Sequence, residues 1–137
     1  MLYPVAIERG DDQHAFGVIV PDLPGCFSAG NTVDAALANA REAIHLHLAG
    51  QVEDGETVLP AQTIQTYADS PDYQGFIWAL VEIDITRYLG KAEKINITLP
   101  AHLIRRIDAF VSTHPQYKSR SGFLANLALD KLMRDAS

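Results

Sequence analysis

Lys94, Asn96 and Thr98 alternate with Ile95, Ile97 and Leu99. Successive side chains of an extended chain point to opposite faces. One face therefore carries an ammonium donor, an amide that donates and accepts, and a hydroxyl. Such a face recognises a polar surface by hydrogen bonding and breaks no bond. The other side chains with chemical potential are spaced poorly for catalysis or metal binding. His45 and His47 are two residues apart, so on a helix they diverge by about 200° rather than sharing a face. His47 lies near an apolar stripe and reads as a packed or hydrogen-bonded histidine, whereas His45 is expected at the solvent. Cys26 and His14 complete no ligand spacing, and Ser28 lacks the context of a nucleophile elbow. The residues predict no catalytic set, no metal and no cofactor.

The element holding the polar face stops at Pro100, which suits a first helical turn because its missing N–H would be unpaired anyway. Leu103, Ile104, Ile107, Phe110 and Val111 then follow the period of one helix stripe. His114-Pro115 ends that helix, since the residue before a proline is pushed out of the α region. A second helix begins around Lys118-Ser119-Arg120-Ser121-Gly122, with Phe123, Leu124, Leu127, Ala128, Leu132 and Met133 as its apolar residues.

Strand, helix, turn and helix in this order resemble the ribbon-helix-helix family of DNA-binding proteins. A lone strand leaves its backbone groups unpaired and a unit this small buries little apolar surface; a homodimer with antiparallel strands meets both needs. Ile95, Ile97 and Leu99 would face its core, and the ribbon fits a major groove. The resemblance implies that Lys94, Asn96 and Thr98 read bases. It also implies that Ser119, Arg120 and Ser121, at a helix N-terminus, hold phosphates. The plainer alternative is a helical hairpin serving only to dimerise.

Charge is segregated. Residues 1–90 hold three basic and thirteen acidic side chains, a balance of −10, whereas residues 91–137 hold eight basic and four acidic, a balance of +4. A basic module can neutralise phosphates locally within a chain of net charge −6, and the acidic part then needs another partner. The chain is expected to have two parts, residues 1–90 and residues 91–137. At 47% hydrophobic and 20% charged it reads as globular. No stretch approaches the roughly 18 apolar residues of a membrane span, and no secretion leader is evident. The single Cys26 cannot form an internal disulfide, which fits a reducing cytoplasm.

In the first part, Leu2 to Glu8 and Ala15 to Val20 predict a hairpin around Gly10-Asp11-Asp12. Pro21-Asp22-Leu23-Pro24-Gly25 predicts a turn and Cys26 to Ala29 a third strand. Gly17 suggests a bulge or a close backbone approach. A helix follows with Thr32 as its N-cap, a stripe of Val33, Ala36, Leu37, Ala40, Ile44 and Leu48, and Gly50 as its stop. A short helix around Pro60 to Ala68 and a strand from Phe76 to Ile85 complete a βββα(α)β layer, and Ile85 to Glu93 connects it to the ribbon. Trp78 reads as core before partner anchor.

These residues together resemble the HicB antitoxin family. The resemblance rests on Phe16 to Ser28, Gly30-Asn31-Thr32, the alanine-rich helix Ala35 to Ala49, Trp78 to Asp84, and Tyr88-Leu89-Gly90 leading into the ribbon. It implies an α+β fold similar to a reduced ribonuclease H, joined to the ribbon-helix-helix module. It also implies a non-enzymatic antitoxin that blocks a HicA-like toxin, a small basic ribonuclease, and represses its own operon by binding operator double-stranded DNA. Residual nuclease chemistry would need converging carboxylates around metal ions. The candidates Glu8, Asp22, Glu82 and Asp84 are scattered, so solvated surface is the reading taken. No toxin-contacting residue is specified. The competing reading is a ribbon-helix-helix regulator whose first part senses a metal or small metabolite, and the absence of a clustered ligand set weighs against it.

Overall fold

The computed structural model describes residues 1–135, which fall into two compact units, one from Met1 to Tyr88 and one from Leu89 onward. The first unit contains β1 (Leu2–Glu8), β2 (Phe16–Ile19), β3 (Phe27–Gly30), α1 (Val33–Glu53), α2 (Ile64–Ala68) and β4 (Ile77–Glu82). All pairings are antiparallel and the sheet order is β3-β2-β1-β4. The unit is an α+β layer. β1 is central and apolar from Tyr3 to Ile7, with all five residues buried. Pro4 pairs with Leu80 of β4, while the β1–β2 register spans only Ala6 to Glu8. The missing N–H of Pro4 thus lies where β2 has ended and costs no ladder bond.

α1 starts where the Thr32 Oγ1 accepts from the Ala35 N–H at 3.0 Å. Ala36, Ala40, Ile44 and Leu48 are its buried stripe and lie against the sheet. Small residues lead that stripe because the backbones approach closely. A Cβ on Gly30 would sit 2.4 Å from the Ala36 nitrogen.

Gly50 does not stop the helix. Its carbonyl accepts from the Asp54 N–H at 3.0 Å, inside the hydrogen-bonded run. The stop is Gly55, at φ +80°, where the Glu56 N–H reaches the Gln51 carbonyl at 2.8 Å and the Gly55 N–H reaches Val52 at 3.0 Å. This pair of bonds is the Schellman arrangement, which needs a left-handed residue after the cap. A glycine inside a helix is tolerated at a cost of roughly 1 kcal/mol, and Gly50 is such a case. Gly17 is likewise neither bulge nor close approach, since it pairs in unbroken register with Glu8 and Ala29, and a Cβ there would meet nothing nearer than 3.8 Å.

The second unit contains α3 (Ala101–Thr113) and α4 (Arg120–Asp135), joined by a short turn at Pro115–Tyr117. α4 approaches so closely at Gly122 that a Cβ there would meet the Tyr117 carbonyl oxygen at 2.0 Å. Phe110, His114, Tyr117 and Phe123 form one aromatic cluster, with Phe110 and His114 stacked 3.8 Å apart. Among the described residues of this unit only Ile107 and Leu129 are buried hydrophobics. Leu129 was not among the apolar positions read from the sequence, and Leu127 and Leu132 of that set are exposed. Residues 94–99, expected as a strand, form none within the single chain. A strand exists only through its neighbour's backbone groups, and no described residue of the chain pairs with this segment.

Two substitutions separate the helix stop from its interior. Gly50→Ala should stabilise the protein by about 0.5–1 kcal/mol, because only backbone entropy changes. Gly30→Ala should destabilise it by roughly 1–3 kcal/mol through the clash with α1. Urea denaturation of both variants checks this, and a destabilising Gly50→Ala would place the helix end at residue 50 after all.

Candidate functional sites

Lys94, Asn96 and Thr98 are all exposed, but so are Ile95 at 76% and Ile97 at 57%. The polar residues are thus presented to solvent, and their apolar neighbours are left uncovered beside them. Leu103, Phe110, Leu127 and Leu132 extend the uncovered apolar surface of this unit. Exposed apolar side chains in such number, on a unit whose buried hydrophobics among the described residues are Ile107 and Leu129, mark a surface made to be covered.

At the start of α4 the three residues expected at phosphates have different tasks within the chain. The Ser119 Oγ accepts from the Gly122 N–H at 3.1 Å and serves as the helix cap. Ser121 is exposed. Arg120 donates through Nε and Nη2 to the two carboxylate oxygens of Asp108 on α3, at 3.0 and 2.7 Å. This fork-to-fork geometry fixes the direction of the guanidinium while half of the side chain stays exposed. The hydrogen bond from Arg120 holds the Asp108 carboxyl below the usual range, and the same bond pushes the Arg120 pKa up.

In the first unit, His45 is not the solvent-facing residue expected. It is half-buried, with its Nδ1 2.6 Å from the Tyr88 hydroxyl and 2.7 Å from Arg87 Nη2. A guanidinium only donates, so Nδ1 is the acceptor in that contact. Burial first, then the charges of Arg87 and Arg41, lower the His45 pKa against an opposing pull from Asp84. The histidine ties the turn Thr86–Tyr88 to α1, and its role there is structural.

The four carboxylates considered for metal chemistry do not converge. Asp84 accepts from the Thr86 N–H and hydroxyl at 3.0 and 2.7 Å. Asp22 accepts from the Gln62 N–H at 3.1 Å and from the Tyr67 hydroxyl at 2.5 Å. Glu8 and Glu82 are exposed at strand ends. Among the described residues no group of three or more His, Cys, Asp or Glu is placed to hold a metal ion. Among them, too, no helix is long and apolar enough to cross a membrane. Cys26 is buried, and burial raises its thiol pKa. Trp78 is half-buried, stacked on Tyr67 and edge-on to Tyr73 at 5.3 Å between ring centres.

One feature of this unit had only a faint signal in the sequence. A cavity of about 360 Å³ is lined by Tyr3, Asp22, Gln51, Glu56 and Thr57, with the exposed Leu59 also on its wall. The Tyr3 side chain is buried to 1% and its hydroxyl has no hydrogen-bond partner among the described residues. Burial, and then the nearby Asp22 carboxylate, push its pKa up to about 12. The alternation Tyr3, Val5, Ile7 already pointed that ring inward.

The whole chain can be placed among known proteins. Residues 3–128 match the family model described as HicB-like antitoxin of bacterial toxin–antitoxin system. A 14.9 kDa protein of the rep-hol intergenic region of Haemophilus phage HP1 is 50% identical over 133 residues, covering 97% of this chain and 98% of its own. The crystal structure of the Burkholderia pseudomallei antitoxin HicB aligns at a TM-score of 0.70 with 41% identity, over 96% of this chain and 98% of that one. A chain of a HicA3 and HicB3 toxin–antitoxin complex aligns at a TM-score of 0.52 with 34% identity, over 61% of this chain and 99% of that one.

The Arg120–Asp108 pair sets a pH signature. The folded carboxyl titrates below its unfolded value of about 3.9, so the pair's contribution is present above that pH and is lost as pH falls through the folded pKa. An NMR titration of the Asp108 carboxyl carbon should give a depressed midpoint, returning to the ordinary range in Arg120→Ala. An unchanged midpoint in that variant would remove the arginine as the cause.

Proposed function

This chain belongs to the family of HicB-like antitoxins of bacterial toxin–antitoxin systems, and on that premise we propose how its two units divide the work. The first unit neutralises a HicA-type ribonuclease toxin by binding it and covering its active site. The second unit pairs with that of another copy and represses the operon by binding operator DNA. The likeness to HicB antitoxins along nearly the whole chain supports this reading above all. The antitoxin acts by contact rather than by catalysis, in the bacterial cytoplasm where toxin and operator are found. Its first unit is then a binding version of a reduced ribonuclease H fold.

Charge supports the division. The balance of −10 over residues 1–90 complements a basic toxin, which steers association and selects the partner. The balance of +4 over the rest suits a phosphate backbone. In the second unit, two copies of residues 94–99 would pair antiparallel, turning Ile95, Ile97 and Leu99 into a shared core with the uncovered faces of α3 and α4. Lys94, Asn96 and Thr98 would then project from a two-stranded ribbon into a major groove, lysine toward guanine, asparagine toward adenine, and threonine toward a base edge or a thymine methyl. Arg120, aimed by Asp108, and the α4 N-terminus with Ser119 and Ser121 would anchor phosphates.

Two measurements test the halves separately. Asn96→Ala should cost about 1–3 kcal/mol on the cognate operator and spare scrambled duplex. Arg120→Ala should weaken both duplexes by similar factors and flatten the salt dependence. Equal losses on both duplexes for Asn96→Ala would mean that this face does not read bases. Residues 1–88 alone should bind and inhibit the toxin encoded beside this chain, with association slowed by salt, since exposed charges are screened over about 8 Å at physiological ionic strength. Failure of both the fragment and the full chain to bind would count against the antitoxin reading.

A further inference from the structure

The cavity beside Tyr3 is built from four separate parts of the first unit: β1, the turn after β2, the end of α1 and the segment that follows it. The Schellman turn at Gly55 is what brings two of its polar residues together, because the Glu56 N–H is bonded back to the Gln51 carbonyl. Its polar wall contains two carboxylates, Asp22 and Glu56, with an amide and two hydroxyls, and no lysine, arginine or histidine lines it. An anion would meet only repulsion there. A group that donates in several directions from a positive centre finds acceptor-bearing side chains from several lining residues. At about 360 Å³ the space is near the lower end of the range for small-molecule sites and suits a group of side-chain size. Tyr3 lines the cavity, and its hydroxyl is buried with no hydrogen-bond partner among the described residues, which is costly for a buried polar group. Leu59, 74% exposed on the wall, offers aliphatic surface to the stem of an entering side chain.

We propose that this cavity receives the guanidinium of an arginine side chain from the basic partner protein, held by the Glu56 and Asp22 carboxylates and by the Tyr3 hydroxyl. The site deepens the antitoxin reading by giving the partner one anchoring residue, and to that extent it rests on that reading. Within the free protein Asp22 is already engaged by Gln62 and Tyr67, so it organises the wall. Glu56 is exposed and supplies the charge most open to an incoming cation. An arginine buried in this way is the kind of residue that dominates an interface.

The test uses the full-length chain and two substitutions that leave the fold intact. Tyr3→Phe keeps the ring and removes only the unpartnered oxygen, so the free protein should be as stable as the parent or more so. Binding of the toxin should nevertheless weaken by about tenfold. Glu56→Gln should leave the melting temperature unchanged and weaken binding by a similar factor. Parent-like toxin affinity in both variants would overturn the proposal, as would a loss of affinity that merely tracks a loss of stability. A second arm needs no toxin. N-acetyl-arginine methylamide should shift the backbone amides of Glu56 and Thr57 saturably in NMR titrations, while its neutral citrulline isostere should not, and Tyr3→Phe should weaken the effect. Equal shifts with both probes, or none with either, would show that the cavity does not select a guanidinium. If the parent chain fails to bind the toxin at all, the antitoxin reading fails, and the probe titration still decides the chemistry of the cavity.

Discussion

A β-strand cannot exist by itself, and residues 94–99 are written as one. Their alternation is regular, yet the single chain supplies no backbone to pair with them, and Ile95 and Ile97 stand in solvent. The same deficit reappears in α3 and α4, where Leu103, Phe110, Leu127 and Leu132 are uncovered around a core of Ile107 and Leu129. Uncovered aliphatic surface is costly in water, and an association that covers it must also pair the amides it takes out of water. The proposed role of the second unit follows from that: what completes its fold also doubles its recognition surface.

The first unit builds a core of its own. β1 is hydrogen-bonded on both sides, α1 covers the face carrying Tyr3, Val5 and Ile7, and the buried stripe of α1 begins with alanines because Gly30 brings the sheet close. A stable scaffold of this kind can carry a large negative charge, whose mutual repulsion would threaten a weaker fold. The Asp22 carboxylate shows how such charge is organised, drawing the connection through Gln62 and Tyr67 toward the turn after β2. Charge placed on a rigid frame gives a partner something definite to match.

Local rules made much of this legible in the sequence. The Thr32 cap, the Ala36–Ala40–Ile44–Leu48 stripe, the edges of β1 and the break at His114-Pro115 all follow from residue type and period. The structure departs from local rules where two of them compete or where tertiary contacts decide. Gly50 and Gly55 both qualify as helix stops, and only the bonds from Gly55 and Glu56 back to Val52 and Gln51 select the second. Helical period puts His45 at the solvent, but Arg87 and Tyr88 lie more than forty residues on in sequence and fold over it. The Arg120–Asp108 pair spans two helices and was equally invisible. The cavity was hidden for the same reason, since three stretches distant in sequence build it, around Tyr3, Asp22 and Gln51 to Pro60.

The central claim is that residues 94–99 become a strand only when two copies meet. Amide hydrogen exchange of the full-length chain, followed as a function of protein concentration, tests it most directly, because backbone protection reports hydrogen bonding residue by residue. Alternate amides of residues 94–99 should be protected at concentrations where the chain is dimeric and should lose that protection on dilution, while the amides of β1 stay protected throughout. Rapid exchange across residues 94–99 in a demonstrated dimer would contradict the account, for the two copies would then be joined by something other than a ribbon.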